Sequence, residues 1–294
     1  MTALAAPKPL VWVTGASGLI GRYLLETARQ VAPTWDVRGL TRGDLDLADL
    51  PALRQRFRQE RPARVIHCAG LTASPACQEK PQLARHLNVE VTAALATLAS
   101  EIPLTFLSTD LVFDGRQAPY DESAAVNPLT VYAQTKLEAE HHVLANPRHM
   151  VIRTSLNAGV SASGRRAFNE ELRHAWATGQ TTRLFTDEFR SPIAAVVTAR
   201  AVWELAAQAP PGLYHVAGSQ RLSRLQMGRL LARLWPELNP RIVPVSLADY
   251  PGAPRSPDTT LDSGKAQAWL SFPLPKFEAW LQANPTALRP EAGC

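Results

Sequence analysis

Short apolar runs alternate with amphipathic segments through the first half of the chain. The runs that predict buried strands are Leu10–Thr14, Val37–Thr41, Arg64–Ala69, Leu104–Thr109 and Met150–Thr154. Apolar residues recur with the period of a helix over residues 20–31, 50–60, 83–100 and 131–144. Because a helix is the usual connection between parallel strands, this alternation predicts an α/β fold with a doubly wound parallel sheet.

The alternation weakens beyond residue 155. Helical periodicity predicts helices over residues 168–178, 194–207, 223–234 and 277–281, and Gly212–Val216 predicts one more strand. Prolines are frequent from Pro236 to Pro290, which is typical of loops. We expect a sheet domain over residues 1–155, with 193–217 returning to it, and a smaller, loop-rich cap over 156–192 and 218–294.

Three glycines follow the first predicted strand, in the order Gly15-Ala16-Ser17-Gly18-Leu19-Ile20-Gly21. In such a turn the first glycine permits the tight bend, the second lets the backbone approach a pyrophosphate, and the third lets the helix pack closely. The helix N-terminus then offers N–H groups to the phosphates. An ordinary βα turn is the alternative, but the position after the first strand favours a dinucleotide, hence a Rossmann domain. The residues expected to bind the cofactor here are Gly15, Ser17, Gly18, Leu19 and Ile20.

The end of the second predicted strand distinguishes the two nicotinamide cofactors. NAD sites place an acidic residue there for the ribose hydroxyls, whereas NADP sites accommodate a phosphate beside an arginine. Here the strand ends Leu40-Thr41-Arg42, and the first carboxylate comes only at Asp44. The sequence therefore favours NADP(H), with Arg42 beside the phosphate, and leaves NAD(H) open. Asp46 is expected to accept from the adenine amino group while Leu47 packs on the ring.

Tyr132 and Lys136 are four residues apart and share one face of a predicted helix. A phenol with its ordinary pKa of about 10 is poorly matched to proton transfer at neutral pH. A lysine charge about 4 Å away supplies roughly 4 kcal/mol at an effective dielectric constant near 20, enough to lower that pKa by about 3 units. The pair therefore predicts a proton donor, Tyr132, tuned by Lys136. An incidental pair on a surface helix is the alternative, and the scarcity of lysine in this chain weighs against it.

Two hydroxyl side chains end the predicted strand Leu104–Thr109. Ligands of open α/β sheets bind at the carboxyl ends of the strands, where Ser108 and Thr109 lie. We expect Thr109 to hydrogen-bond a substrate carbonyl and Ser108 to line the cofactor site.

Charge and composition narrow the class of protein. The net charge is +5, but the arginines are scattered, so we expect an acidic small molecule rather than nucleic acid as partner. No apolar stretch approaches the roughly 20 residues of a membrane helix, and Met1–Pro9 does not resemble a signal peptide. Cys68, Cys77 and Cys294 show no ligand or disulfide spacing, and no metal site is predicted. We expect a cytoplasmic protein, and a homodimer is compatible with the sequence.

Together these motifs resemble the extended short-chain dehydrogenases/reductases, and within them the dTDP-4-dehydrorhamnose reductase branch. The resemblance spans most of the chain, in order. The matching stretches are Val13–Gly21, His67–Gly70, Leu107–Gly115, Pro119–Glu122, the Tyr132 and Lys136 pair, Ile152–Ser155, Asp187 with Ser191-Pro192, and Arg255–Asp262.

The resemblance implies NADP(H)-dependent reduction of a 4-keto sugar nucleotide by a catalytic triad of Thr109, Tyr132 and Lys136. Tyr132 would protonate the sugar oxygen, and Lys136 would also hold the nicotinamide ribose. Asn88, in the long helix, would brace the site, with a polar residue on a helix rim as the alternative. The further cofactor contacts implied are Cys68, Ala69 and Gly70 on the ribose side and Thr154 and Ser155 near the nicotinamide.

Some positions depart from the branch. Leu111 stands where a tyrosine is usual, Leu156 stands where an aromatic residue is usual, and Ser74-Pro75-Ala76-Cys77 replaces an acidic cluster. Both leucine positions would face the sugar, so the identity of the sugar stays open. The residues expected to contact the substrate are Ser74, Asp110, Leu111 and Arg190, the last at a phosphate unless it is an ordinary surface arginine.

A sugar-nucleotide epimerase and a non-catalytic, NADP-binding regulatory subunit are the alternatives. Epimerases retain their cofactor, so a nicotinamide that copurifies with the protein would favour the first. Dehydratases of this superfamily carry Asp-Glu after the threonine, and Leu111 after Asp110 argues against that chemistry. The intact triad argues against a purely regulatory role.

Overall fold

A six-stranded parallel sheet lies at the centre of the computed structural model, which describes residues 7–289. The predictions for Cys294 and for most of Met1–Pro9 concern residues outside this described range. Along the sheet the strands follow the order β2 (Asp36–Leu40), β1 (Leu10–Thr14), β3 (Arg64–His67), β4 (Leu104–Thr109), β5 (Met150–Thr154) and β10 (Gly212–Val216). The predicted doubly wound parallel sheet is confirmed.

The remaining strands form three short pairs outside the central sheet. They are β6 (Asn157–Ala158) with β9 (Ile193–Ala194), β7 (Thr181–Phe185) with β12 (Arg241–Val245), and β8 (Phe189–Arg190) with β11 (Leu222–Ser223). The helices are α1 (Leu19–Val31), α2 (Leu50–Glu60), α3 (Ser74–Glu79), α4 (Pro81–Arg85), α5 (Val91–Leu98), α6 (Val131–Leu144), α7 (Phe168–Ala177), α8 (Ala195–Gln208), α9 (Arg224–Leu234), α10 (Gly264–Gln267) and α11 (Phe277–Ala283).

The register of the parallel strands brings their carboxyl ends to one edge. Thr14 pairs with both Leu40 and His67, and Thr109 pairs with Thr154. The strand order reverses between β1 and β3, and open α/β sheets bind ligands at such a switch point. This edge therefore positions the predicted site.

Apolar residues on alternate strand positions build a core on each face of the sheet. One core packs Val13, Ile66 and Ile152 against Trp203 of α8. The other packs Trp12, Phe106 and Val151 against α5 and α6. A third apolar cluster lies among α7, α9 and α11, with Trp176, Trp235 and Phe277 buried in it. The division into two domains at residue 155 stays a prediction.

The long helix expected over residues 83–100 is present over residues 81–98, with a π-helical segment in its middle. It is divided into α4, a π turn at His86–Glu90 and α5. The π turn contains Asn88, whose buried amide bonds the backbone of Leu71 and the side chain of Thr135. These hydrogen bonds to residues outside the helix account for the π turn, which the spacing of apolar residues alone does not predict.

Several other elements were not predicted, among them α3, α10 and the short strands outside the central sheet. Helix α3 is too short to show a helical period, and it begins with Pro75 in its first turn. Strands β7 and β12 lie far apart in sequence, and β12 contains Pro244, which made a strand difficult to infer.

Candidate active site

The glycine turn lies at the switch point between β1 and β3. Gly15 has a φ of 68°, and a Cβ there would lie 2.7 Å from the amide nitrogen of Ala69. A Cβ on Gly21 would lie 2.9 Å from the carbonyl carbon of Gly15 and would overlap its oxygen. Neither position leaves room for a side chain. The turn and the Cys68–Gly70 segment are thus held directly against each other.

The N-terminus of α1 presents backbone donors at this turn. Gly18 is the N-cap, and no side chain caps the helix. The first intrahelical bond runs from the Arg22 amide to the Gly18 carbonyl, at 3.0 Å, so the amides of Leu19, Ile20 and Gly21 precede it. Such a helix end favours phosphate. The close-packed glycines and these amides fit the pyrophosphate of a dinucleotide.

The turn after β2 holds the groups expected to select the cofactor. Arg42 is exposed there. The Asp44 carboxylate accepts from the Thr41 amide at 2.9 Å and from the Thr41 hydroxyl at 2.6 Å, and these bonds lower its pKa. Asp46 likewise accepts from the Ala48 amide at 3.0 Å, and Leu47 is half-buried against the core. The carboxylate nearest β2, that of Asp44, is thus hydrogen-bonded within its own turn. The arrangement therefore favours a 2′-phosphate beside Arg42.

Tyr132 lies in the first turn of α6. Thr130 caps this helix by accepting from the Ala133 amide at 3.3 Å. Burial raises the pKa of the phenol, a hydrogen bond with Thr109 lowers it, and the Asp110 charge raises it. The pKa stays above its ordinary value, so the phenol is protonated at neutral pH.

Lys136 follows one helical turn later and is buried. Its ammonium donates to the Leu107 carbonyl at 2.6 Å and lies 3.8 Å from the centre of the Phe106 ring. Burial lowers its pKa to about 7, while the charges of Glu140 and Cys68 raise it.

The expectation that Lys136 lowers the pKa of Tyr132 is wrong in this structure. Burial dominates the environment of the phenol, and the group that lowers its pKa is Thr109. The reason is the direction of the lysine: a buried ammonium needs an acceptor, and the Leu107 carbonyl of β4 provides it.

Thr109 and Asp110 join the sheet edge to the second half of the chain. The Thr109 hydroxyl donates to Asp110 at 3.3 Å and accepts from the Leu111 amide at 3.2 Å. The other Asp110 oxygen accepts from Ser155 and Thr259, each at 2.8 Å. A substrate that contacts Asp110, as predicted, would have to compete with these hydrogen bonds. Leu111 is half-buried, and its side chain has no polar group that such bonds could occupy.

Ser108 differs from its expected orientation. Its hydroxyl donates to Glu140 at 2.5 Å, on the α6 side of the sheet. Successive strand residues point to opposite faces, so the side chains of Ser108 and Thr109 diverge. Any contact of Ser108 with a cofactor would therefore involve its backbone.

The other predicted cofactor residues line the same edge. Thr154 pairs with Thr109 across the strands and accepts from the Asn157 amide group at 3.1 Å. Burial raises the pKa of the Cys68 thiol to about 12, with the Lys136 charge opposing it, so this cysteine is inert. Ala69 and Gly70 follow it, and a Cβ on Gly70 would lie 2.8 Å from the Asn88 side-chain oxygen.

Asn88 braces this region as expected from the sequence. Its oxygen accepts from the Leu71 amide at 2.7 Å, and its nitrogen donates to the Leu71 carbonyl and to Thr135, each at 3.0 Å. Thr135 in turn donates to the Tyr132 carbonyl at 2.8 Å. Asn88 thus ties the segment after Gly70 to the helix of Tyr132.

Arg190 is buried rather than exposed at the edge of a cleft. Its Nη2 lies 3.1 Å from Glu188, its Nε lies 3.8 Å from Asp110, and its Nη1 donates to the carbonyls of Phe189 and Ser256. Arg255 also donates to Glu188, at 2.6 Å. A substrate phosphate at Arg190 would have to compete with both carboxylates.

Ser74 begins helix α3, which the sequence did not predict. The same helix carries buried Cys77, whose thiol donates to the Leu71 carbonyl at 3.3 Å and whose charge would raise the pKa of Tyr132. Helix α3 contacts helix α6, which carries Tyr132. The contact of Ser74 with a substrate stays a prediction.

Sequence reasoning missed several residues that the fold brings to this edge. They are Glu140, Arg153, Glu188 and Thr259, all buried. One signal was available: Glu140 follows Lys136 at the same four-residue spacing that identified the tyrosine and lysine.

Across residues 7–289 no group of three or more His, Cys, Asp or Glu side chains is arranged to hold a metal ion. Nor does any helix in that range have the length and apolar character needed to cross a membrane.

The family profile described as the RmlD substrate binding domain matches residues 10–289. The chain belongs to this family. It is 32% identical to a dTDP-4-dehydrorhamnose reductase of Streptomyces griseus, over 98% of this chain and 96% of that protein. It is 30% identical to a dTDP-4-dehydrorhamnose reductase of Sinorhizobium fredii, over 90% of this chain and 93% of the relative. The family resemblance inferred from the motifs is thereby confirmed.

A solved structure and a subunit of another enzyme are also similar to this chain. The crystal structure of dTDP-4-dehydrorhamnose reductase from Bacillus anthracis, a complex with NADP, has the same fold, with a TM-score of 0.84 and 22% identity over 94% of this chain and 98% of that one. The methionine adenosyltransferase 2 subunit beta of Danio rerio is 34% identical over 52% of this chain and 49% of that subunit.

Proposed function

We propose that this protein is an NADP(H)-dependent oxidoreductase that reduces a 4-keto sugar nucleotide such as dTDP-4-dehydrorhamnose, with Tyr132 as proton donor. Membership of the family and the two reductase relatives support this reaction class. The observation that carries the proposal is the placement of Tyr132 and Lys136 one turn apart on α6, against β4, whose last residue, Thr109, lies at the sheet edge that also holds the glycine turn.

The site residues fit a bound dinucleotide along this edge. The amides at the start of α1 would hold the pyrophosphate, Arg42 the 2′-phosphate, and Lys136 the nicotinamide ribose. NADP is bound by the Bacillus anthracis reductase of the same fold, which supports this cofactor. When bound, the nicotinamide supplies the hydride.

Tyr132 and Thr109 would handle the proton. The raised pKa keeps the phenol protonated until a sugar oxygen gains charge beside it. The Thr109 hydroxyl donates to Asp110 in this structure, and by turning to donate to the phenol oxygen it would lower that pKa and stabilise the phenolate that remains after transfer.

The first test follows the oxidation of NADPH and of NADH with dTDP-4-dehydrorhamnose as substrate. We expect turnover with both cofactors, and faster turnover with NADPH. If NADPH binds but no carbonyl substrate of a broad panel is reduced, the reductase proposal fails.

Arg42→Ser should change cofactor choice. Loss of a charge-assisted contact costs about 1.5–3 kcal/mol, so we expect NADPH affinity to fall by about 10- to 100-fold. NADH lacks the 2′-phosphate, and its affinity should stay within about twofold of wild type. Titration of nicotinamide fluorescence measures both constants, with Arg58→Ser, an exposed arginine of α2, as the charge-matched control. An equal loss of affinity for both cofactors would show that Arg42 does not contact the 2′-phosphate.

NADPH binding should take up a proton through Lys136. The lysine has a pKa of about 7 in the unliganded protein, and an anionic cofactor favours its charged form. Below pH 7 the lysine is charged before and after binding, whereas above pH 7 binding must protonate it, so affinity falls as the pH rises. At pH 8 we expect uptake of about 0.9 proton by linkage. Calorimetry in two buffers of different ionisation enthalpy measures it, and Lys136→Met should abolish it.

A second candidate function is a cofactor-binding subunit of another enzyme. The similarity to methionine adenosyltransferase 2 subunit beta favours it, although the match covers only half of each chain. Tight NADPH binding without turnover on any carbonyl substrate, unchanged by Tyr132→Phe, would support this candidate over the reductase.

A further inference from the structure

A buried polar cluster lies beneath the catalytic edge, on the α6 side of the sheet. The Glu140 carboxylate accepts from the Ser108 hydroxyl at 2.5 Å and from Arg153 at 3.0 Å (Nε) and 2.7 Å (Nη2). Arg153 Nη1 lies 3.5 Å from His215 Nε2. All four residues are at most 5% exposed. Glu140 is therefore the acceptor that holds the cluster together.

The cluster is in register with the predicted site residues. Ser108 pairs with Arg153, and Thr109, the next residue, pairs with Thr154. Arg153 pairs on its other side with His215 of β10. Successive side chains of a strand point to opposite faces of the sheet. The cluster therefore lies on one face of the ends of β4 and β5, and Thr109 and Thr154 project from the other face. A single residue of α6 thus positions the ends of β4 and β5 relative to the helix that carries Tyr132 and Lys136.

Glu140 follows Lys136 by one helical turn on the same face of α6, and its charge raises the pKa of the buried ammonium. The groups around that ammonium are Glu140 on the same helix, His67 and Cys68 at the end of β3, and the Leu107 carbonyl with the Phe106 ring on β4. His67 is neutral at neutral pH because burial lowers its pKa to about 3, and the Cys68 thiol is neutral because burial raises its pKa to about 12. Among these neighbours, Glu140 is the one that carries a negative charge. The Arg153 guanidinium acts instead on His215.

We propose that Glu140 is a positioning residue for the reaction: it fixes the strand ends that carry Thr109 and Thr154, and it supplies the charge that supports the Lys136 ammonium during cofactor binding. The second part rests on the proposed binding of NADP(H) at Lys136. It assigns a role in cofactor affinity to a carboxylate that touches neither substrate nor cofactor.

The test measures NADPH affinity by fluorescence between pH 6 and pH 9. In wild type, affinity should begin to fall as the pH rises above about 7, where Lys136 loses its proton. In Glu140→Gln the onset should move to lower pH, by about half a unit to one unit, because the charge that opposes deprotonation is gone. At pH 8 this corresponds to a further loss of affinity of about three- to tenfold.

Two more variants separate this effect from simple loss of structure. Glu140→Gln leaves Arg153 as a buried charge without its carboxylate, so Glu140→Gln/Arg153→Met, which removes both charges, is measured beside it. Its onset should shift in the same direction by a smaller amount, because the positive charge of Arg153 is removed as well. Ser108→Ala removes one bond of the cluster but no charge, and its onset should match that of wild type. Thermal unfolding of each variant reports on the fold.

Three outcomes are distinguishable. A shifted onset in both charge variants, with none in Ser108→Ala, supports the proposal. An unchanged onset in both charge variants, with lowered melting temperatures, overturns it and leaves Glu140 a structural residue only. If the wild-type protein binds no NADPH at any pH, the proposed cofactor is wrong, and the role of Glu140 in its affinity is overturned with it.

Discussion

Tyr132→Phe should reduce turnover of a 4-keto sugar nucleotide by a factor of about 10² to 10⁴, the usual contribution of a positioned general acid. The substitution removes one oxygen from a half-buried ring and leaves the cofactor contacts in place. We therefore expect the affinity for NADPH to stay within about threefold of wild type. Single-turnover oxidation of NADPH measures the chemical step directly, and a variant that keeps more than about a tenth of the wild-type rate would exclude Tyr132 as the donor.

Thr109→Val is the companion to this variant. The phenol would lose the hydrogen bond that lowers its pKa and stabilises the phenolate, so we expect a loss of about tenfold in the same assay, corresponding to one hydrogen bond. The pH profile gives a further check. Because burial raises the pKa of Tyr132, deprotonation of the phenol should not limit reduction below about pH 10, its ordinary value. The assay is run with NADPH saturating at every pH, which removes the effect of Lys136 on affinity. A fall in rate near neutral pH that accompanies ionisation of the phenol would then show that the lysine lowers the pKa of Tyr132.

Gly21→Ala should abolish most cofactor binding and also destabilise the fold. A Cβ there would lie 2.9 Å from the Gly15 carbonyl carbon and 3.0 Å from the Ala16 Cα, so backbone rather than a flexible side chain would have to move. Overpacking of this kind costs about 1–3 kcal/mol of the free energy of unfolding. It also displaces the turn from the helix amides, and a shift of about 1 Å in such a site can cost about 10²-fold.

The matched control is Gly43→Ala, in the turn after β2 on the same side of the domain. A Cβ there would find its nearest neighbour, the Thr41 hydroxyl, at 3.7 Å, and the site is exposed. This variant should keep the wild-type melting temperature and NADPH affinity. Equal effects of the two substitutions on binding would contradict the role assigned to close packing at Gly21.

Local rules were enough for most of the central sheet. Strands β1, β4, β5 and β10 and helices α2 and α6 begin and end where the apolar pattern predicts. Buried parallel strands are continuous apolar runs, and the intervening helices repeat with their own period, so both signals are contained in short stretches of sequence. The glycine turn was likewise readable, because the need for glycine arises within a few residues.

Contacts between distant segments were not readable in this way. Helix α3, the π turn at Asn88 and the pairing of β7 with β12 depend on partners that are remote in sequence. The partners of charged side chains could not be predicted from local sequence either. Arg190 has the residue type of a phosphate ligand, yet the fold buries it between Glu188, which is near it in sequence, and Asp110, which is 80 residues away.

The sequence by itself determined the doubly wound sheet, the glycine turn, and the placement of Tyr132 and Lys136 on one helical face, because each of these depends on spacing within a single element. Only the tertiary structure decided the electrostatics of that pair. Burial raises the pKa of Tyr132, and the Leu107 carbonyl turns the Lys136 ammonium toward β4, with Glu140 beside it. These effects come from desolvation and from the direction of buried hydrogen bonds, which are fixed only when the strands and α6 pack together.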